Sequence, residues 1–228
     1  SLTCIAFYMY IMEMNKFKYN IKKYNFNSLV CDWLDTNDLT QLHKEKEYPV
    51  LTREEDMYMH WNQMYYKRWK EDSSINDLYL KFLEEVIKPR FNEEIIYQEL
   101  PDIRIHLPNN IAVGEFHKDK HYRDVKWAEK VRELNYFVPL TKAYGTNTIW
   151  AETEEDKGDY IPFNSDYGEC TEWHGSFLKH GNKINKTNIT RVSFDFRVIP
   201  KSRYIPSEHT SINMKIPFKI GGYYGGIV

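Results

Sequence analysis

The stretch Thr190-Arg-Val-Ser-Phe-Asp-Phe-Arg-Val-Ile199 alternates polar and apolar residues along most of its length. Successive side chains of an extended chain point to opposite faces. Arg191, Ser193, Asp195 and Arg197 therefore share one face, and Val192, Phe194, Phe196 and Val198 share the other. The apolar face is suited to a core, while a polar, partly charged face opposite it suits a sheet that lines a ligand cavity. Working outward, residues 103–107, 112–117, 134–140, 146–150 and 173–178 are further strand candidates, with Pro108-Asn-Asn110 as a turn. Short strands with no helices alternating between them favour an antiparallel sandwich or barrel over parallel β-α-β units.

The first hundred residues have a different texture. Residues 29–42 mix apolar side chains with aspartates, and residues 54–70 are rich in charge and aromatics, which reads most simply as helix packing. Apolar residues at 75, 78, 80, 82, 83, 86 and 87 form a helical stripe that Ser73 or Ser74 could cap and Lys88-Pro89 would end. The expected fold is α+β and mainly β: a jelly-roll body with N-terminal helices packed on it, in one domain spanning 1–228. Within it, 1–100 is expected to be mainly helical, 101–204 to be the β core, and 205–228 to be an irregular tail marked by Gly221-Gly222 and Gly225-Gly226.

Bulk properties narrow the class. The chain has 228 residues, of which 42% are hydrophobic, enough for one sizeable core. A net charge of -2 gives no reason to expect a nucleic-acid partner, which would favour a strongly basic face. Cys4, Cys31 and Cys170 are odd in number, scattered and without a CxxC pair, so neither a thiolate zinc site nor a disulfide framework is expected. Reduced thiols in a cytoplasmic protein are the simplest reading. Residues 2–12 are largely apolar and imitate a signal-peptide core. They lack a preceding basic segment and a small-residue cleavage site, and they are too short to span a bilayer. They are expected to pack on the body as a strand or helix, with no membrane association.

The chemistry starts at His117-Lys-Asp119. Two ligand types separated by one residue project to the same side of an extended chain, so both can reach one metal ion. His180, before Gly181-Asn182, supplies a second imidazole. Two histidines and one carboxylate make the facial triad that leaves positions open on iron(II); a structural zinc site more usually carries thiolates. His174 competes for the distal role but stands seventeen positions before Arg191, a poorer match than His180 with ten intervening residues. The guanidinium of Arg191 can grip a carboxylate through parallel hydrogen bonds, with the Ser193 hydroxyl adding another. Arg197 shares that face and is the competing anchor, although pairing with Asp195 or another carboxylate is its simpler role.

The pattern His117-x-Asp119, sixty intervening residues, His180, ten more, then Arg191-x-Ser193 resembles the signature of the Fe(II)/2-oxoglutarate-dependent oxygenases. The stretches Gly114-Glu-Phe-His-Lys-Asp119, Asn135-Tyr-Phe-Val-Pro-Leu140, Tyr144-Gly-Thr-Asn-Thr-Ile-Trp150, His180-Gly-Asn and Arg191-Val-Ser-Phe-Asp-Phe-Arg197 look like a narrower group. That group is the hydroxylase-like family named from streptomycin biosynthesis clusters, distantly similar to the phytanoyl-CoA hydroxylases. The resemblance covers about residues 101–204. It implies a cupin-like double-stranded β-helix, with iron held by His117, Asp119 and His180 as the catalytic centre. It also implies 2-oxoglutarate on Arg191 and Ser193, with Asn135 beside it, and dioxygen-dependent oxidation of a small polar metabolite, releasing succinate and carbon dioxide. In related halogenases a small residue replaces the carboxylate, so Asp119 favours hydroxylation over halogenation, while desaturation or ring closure would use the same ligands. Arg104, His121 and Asn147 are expected to face the substrate, while His106 is expected at the surface or pocket wall and Trp150 in the core. The alternative is a catalytically inactive cupin-like metal- or small-molecule-binding protein; the Arg191–Ser193 pair has no purpose there. Oligomeric state is not legible.

Overall fold

The alternating stretch becomes a ten-residue strand, Arg191–Pro200, around which the large sheet is organised. The computed structural model describes residues 14–112, 115–212 and 214–228; the apolar segment at 2–12 and part of the strand candidate at 112–117 lie outside the described residues. In chain order the strands are β1 (Asn15–Lys18), β2 (Ile95–Gln98), β3 (Asp102–His106), β4 (Leu134–Pro139), β5 (Ile149–Ala151), β6 (Ile161–Pro162), β7 (Glu169–Trp173), β8 (His180–Asn182), β9 (Arg191–Pro200) and β10 (Tyr224–Ile227). The helices are α1 (Phe26–Leu34), α2 (Leu42–Glu45), α3 (Arg53–Asp56), α4 (His60–Glu71), α5 (Ser74–Phe82) and α6 (Val125–Val131).

Strands run in the order β1-β7-β4-β9-β2-β10 in the large sheet, with β3 also paired to β9, and β6-β5-β8 form a small one. All of the strand pairings are antiparallel. Strand β9 is long enough to pair its first half with β3 and its end with β2 along one edge, while β4 follows the other. Directly paired residues share a face. The register Asp102↔Asp195, Arg104↔Ser193 and His106↔Arg191 on one side, with Asn135↔Arg197 and Phe137↔Asp195 on the other, gathers these side chains on one surface.

The opposite surface is apolar and is covered by the N-terminal helices. Val192, Phe194, Phe196 and Val198 pack with Phe26, Val30, Trp33, Tyr65, Tyr79 and Phe82 in one cluster. Phe196 stacks on Tyr136 at 5.1 Å and meets Tyr79 edge-on at 5.2 Å. Each such side chain contributes roughly 1.5–3 kcal/mol by leaving water, which explains why the helices dock here. Between the sheets lies a smaller cluster of Phe137, Trp173, Ala151, Phe163 and Leu178. The order is thus helices, large sheet, small sheet, with the polar surface of β9 facing inward.

Four local readings are corrected. First, the stripe at 75–87 is α-helical only to Phe82; Leu83–Ile87 widens into a π turn with Lys88 N–H bonded to the Leu83 carbonyl. Pro89 lacks an N–H to continue the ladder, which accounts for the change of pitch. At the helix start it is the Asp72 carboxylate, not a serine hydroxyl, that accepts from Ser74 N, at 2.9 Å. Second, the strand placed at 173–178 is Glu169–Trp173, because His174 to Leu178 turns, with Leu178 N bonded to the His174 carbonyl. Third, the first turn of 146–150 is a 3-10 turn, Gly145–Asn147, leaving Ile149–Ala151 as the strand.

Fourth, the tail and the helical first hundred residues both contribute to the large sheet. Tyr224–Ile227 pairs with Ile95–Gln98, and Asn15–Lys18 with Glu169–Trp173. Gly225 serves close approach here: a Cβ would stand 1.8 Å from Glu99 Oε2 and 2.7 Å from Tyr97 Cε2. Among the described residues no helix is long and apolar enough to cross a membrane, and Cys31 and Cys170 are free thiols.

Candidate metal centre

His117 and His180 face each other across an isolated antiparallel bridge, His117 N bonding His180 O at 2.8 Å and His180 N bonding His117 O at 2.9 Å. After His117 the chain turns into a 3-10 helix that begins at Asp119, whose N–H is fixed on the Gly175 carbonyl at 2.9 Å. The result brings one donor atom from each of His117, Asp119 and His180 within 4.8 Å of one another. Asp119 Oδ1 stands 3.4 Å from His117 Nε2 and 3.6 Å from His180 Nε2.

The surroundings orient all three donors. His117 Nδ1 lies 2.8 Å from the Glu115 carbonyl and His180 Nδ1 2.9 Å from that of Leu178. A carbonyl only accepts, so each Nδ1 carries the proton and each Nε2 offers a lone pair to the shared point. Trp173 meets the His180 ring edge-on at 4.5 Å. Burial pulls the His180 pKa down to about 4, against the opposing pull of Asp119, so the ring is neutral at pH 7. The other oxygen of Asp119 accepts from Asn135 Nδ2 at 3.0 Å and from Arg197 Nε and Nη2 at 3.1 and 2.9 Å. Burial opposes ionisation of Asp119, but the Arg197 guanidinium beside it holds its carboxyl well below the usual range. Asn135 is itself held by Gly175 N at 3.1 Å, and a Cβ on Gly175 would meet Asn135 Nδ2 at 2.6 Å. Two imidazoles that each present Nε2 and an ionised carboxylate on one side of a cavity fit a divalent ion such as iron(II).

That cavity, about 330 Å³, is lined by the triad and by residues of the N-terminal helices, among them Asp56, Asn62 and Tyr66. Arg104 and Arg197 stand in its wall and are neutralised: Arg104 by Asp195 at 3.2 Å, Arg197 by Asp119 and Asp102 at 2.9 and 3.2 Å. Arg191, 1% exposed, and Ser193 are buried and are not among the residues lining this cavity. Arg191 donates through Nε to the Asn147 carbonyl at 2.8 Å and through Nη1 to Ser193 Oγ at 2.7 Å. No carboxylate among the described residues lies within ion-pair distance of Arg191. Burial, with Arg104 nearby and Asp195 and Asp56 opposing, lowers its pKa to about 10.

The other named residues are placed as follows. Asn147 contributes its carbonyl to Arg191, while its side chain is occupied by Tyr144 N at 2.8 Å and Thr187 Oγ1 at 3.3 Å. His121 is exposed on the 3-10 turn; its neighbour Tyr122 reaches the cavity and packs on His117 at 5.0 Å. His174 is buried outside the triad, its Nδ1 without a hydrogen-bond partner. Trp150 is half-buried, its indole bonded to the Gly145 carbonyl at 2.9 Å. Asp56, Asn62, Tyr122 and Tyr223 carried no signal in the sequence, since neither motif nor spacing tied them to the triad.

His106 is fully buried between the Asn110 and Asn147 carbonyls at 2.7 and 3.3 Å, and burial, with Arg191 beside it, lowers its pKa to about 3. A histidine with a folded pKa below its ordinary 6.5 contributes stability present above pH 6.5 and lost as pH falls toward 3. At pH 5 the loss is about 2 kcal/mol from this residue. Urea unfolding at pH 7 and pH 5 checks it: the decrement should shrink by that amount in His106→Asn, and an unchanged decrement would refute the assignment.

No family model matches the chain. The arrangement of two sheets beside a cluster of two histidines and one carboxylate is similar in fold to solved non-haem oxygenases. The crystal structure of EctD from S. alaskensis, solved with 2-oxoglutarate and 5-hydroxyectoine, matches with a TM-score of 0.50 over 92% of this chain and 77% of that one, at 12% identity. The non-haem monooxygenase ThoJ, solved as a nickel complex, gives 0.49 over 89% and 80%, at 14% identity. The streptomycin biosynthesis protein StrG of Streptomyces griseus is 31% identical over 213 residues, 93% of this chain and 98% of that protein. The chain belongs to the StrG family.

Proposed function

We propose that this protein is an Fe(II)/2-oxoglutarate-dependent oxygenase that hydroxylates a small polar molecule, built on a double-stranded β-helix whose two faces are the large and small sheets. One observation carries the co-substrate assignment: among the described residues, Arg191 is a fully buried guanidinium bonded only to neutral partners. Burying an uncompensated charge is costly, and an incoming carboxylate offsets that cost with a charge-assisted, fork-shaped contact. The distal carboxylate of 2-oxoglutarate supplies that group. The metal, once bound, would bring the 2-oxo acid, dioxygen and substrate together for coupled oxidation, giving succinate and carbon dioxide. His117, Asp119 and His180 would hold it, and Asn135 and Arg197 would keep Asp119 aimed. The cavity wall would exclude bulk water. The free thiols fit a reducing, cytoplasmic setting.

The anaerobic protein with iron(II) and 2-oxoglutarate should develop the weak visible charge-transfer band of the chelate. Arg191→Ala should weaken 2-oxoglutarate binding about 10-fold or more, given that a charged hydrogen-bonded contact contributes about 1.5–3 kcal/mol. If the wild type shows no band, the co-substrate reading fails and a metal-binding protein without turnover remains. If Arg191→Ala binds normally while Arg104→Ala does not, the anchor moves to the cavity wall. Succinate release on admitting oxygen, screened over polar metabolites, then identifies the substrate.

A further inference from the structure

We infer that Asp56 and Asn62 form an acceptor subsite, in the cavity of the metal triad, for a cationic amino group of the bound organic molecule. The inference rests on the oxygenase reading only in calling that molecule the substrate. Both residues line the same cavity as His117, Asp119 and His180.

Asp56 closes α3 and is 6% exposed. Among the described residues its carboxylate has neither a hydrogen bond nor an ion pair; burial raises its pKa to about 6, with Arg104 and Arg191 acting against the rise from beyond contact. The carboxylate is thus still mainly ionised at pH 7. Asn62, one turn into α4, is 3% exposed. Its Nδ2 donates to the Asp56 carbonyl at 2.6 Å, which fixes the orientation of the amide, because the reverse orientation would set two acceptors against each other. The other end, Oδ1, is buried without a partner. Among the described residues, Asp56 and Asn62 of this cavity wall thus each carry an acceptor without a donor, and each is costly to leave that way.

Among the described residues, three donors of this wall are already engaged. Arg104 is on Asp195, Arg53 is on Glu115 and the Tyr122 hydroxyl, and Gln63 Nε2 is on the Met57 carbonyl. A ligand can bring the missing donors. A protonated amine fits better than a hydroxyl: it brings a charge to the unpaired carboxylate and enough N–H groups for both oxygens, whereas a hydroxyl brings one donor and no charge. Filling Arg191 with a carboxylate removes part of the positive field that Asp56 feels, which strengthens the requirement for a cation.

The test compares D-glucosamine with D-glucose, which differ at one position by amine against hydroxyl, in titrations of the nickel(II)-loaded full chain followed by calorimetry. The expected result is glucosamine binding at least tenfold tighter than glucose. That preference should vanish in Asp56→Asn and fall severalfold in Asn62→Ala. Asp56→Asn should also melt higher than wild type, since it removes a buried unpaired charge, and this shows that the variant is folded. Equal binding of the two sugars, no binding of glucosamine, or a preference that survives Asp56→Asn overturns the inference. The charge-transfer band is read separately: its absence alongside an intact amine preference removes the oxygenase reading and leaves the subsite, and the converse removes the subsite alone.

Discussion

Replacing Arg197 with methionine is expected to destabilise the protein by about 3–5 kcal/mol and to weaken divalent-metal binding by about 10–100-fold. Arg197 is 8% exposed and serves three carboxylates: Asp119 at 2.9 Å, Asp102 at 3.2 Å and Asp195 at 3.7 Å. Its removal leaves buried negative charge without a counter-ion, the condition under which breaking a buried pair costs most. Loss of metal affinity has a separate origin. Asp119 turns Oδ1 toward the point shared with the two imidazole Nε2 atoms because Oδ2 is held by both Nε and Nη2 of Arg197. Without the fork the carboxylate can rotate, and its proton affinity rises to compete with the metal. Arg197→Lys tests the division: the charge returns and stability recovers in part, but one ammonium cannot reproduce the two-point grip, so metal binding should stay impaired. Urea unfolding of the metal-free protein and chelator competition for nickel(II) give the two readouts. Metal affinity equal to wild type in both variants would refute the positioning role.

How much of this was legible beforehand follows from how local each signal was. The strand at 190–199 is legible because its period of two holds from Arg191 to Val198, and its register carries Arg104, His106 and Asn135 onto the same surface. The triad was legible because the chain has few histidines and their spacing to Arg191 is restrictive. Pairing of the two chain ends into the large sheet was not legible: Ile95–Gln98 is short, and Tyr224–Ile227 contains two glycines that propensity assigns to a turn. Neither carries a local marker that they meet. The same limit applies to Asp56 and Asn62, which join the cavity lining only through the docking of α3 and α4, a placement no local pattern encodes. The role of Arg197 lay between these cases. A carboxylate partner was expected for it, but that the partner would include the metal-ligating Asp119 depends on a chain turn at Asp119 that alternation does not encode.

The distal ligand is the second place where a single side chain should have a very large effect. His180→Ala is expected to abolish iron(II) and nickel(II) binding, and His174→Ala to leave it intact. Both rings are buried, and burial lowers both pKa values to about 4, so neither burial nor protonation separates the two. Orientation does. His180 sits on the bridge opposite His117, with Nδ1 tied to the Leu178 carbonyl and Nε2 facing Asp119 Oδ1 at 3.6 Å. His174 packs beside Phe177, 6.4 Å between ring centres, and its Nδ1 is buried with no partner. With His180 removed, two protein ligands remain, one fewer than the facial triad needs to hold a metal while leaving positions open. His180→Ala also empties the space against Trp173, so thermal unfolding must show a folded variant before its metal titration is read. His180→Gln, which keeps most of the volume and lacks the imidazole nitrogen, should fail to bind in the same way. Retention of the metal by His180→Gln with its loss in His174→Ala would transfer the ligand to the turn after β7 and dismantle the site as described.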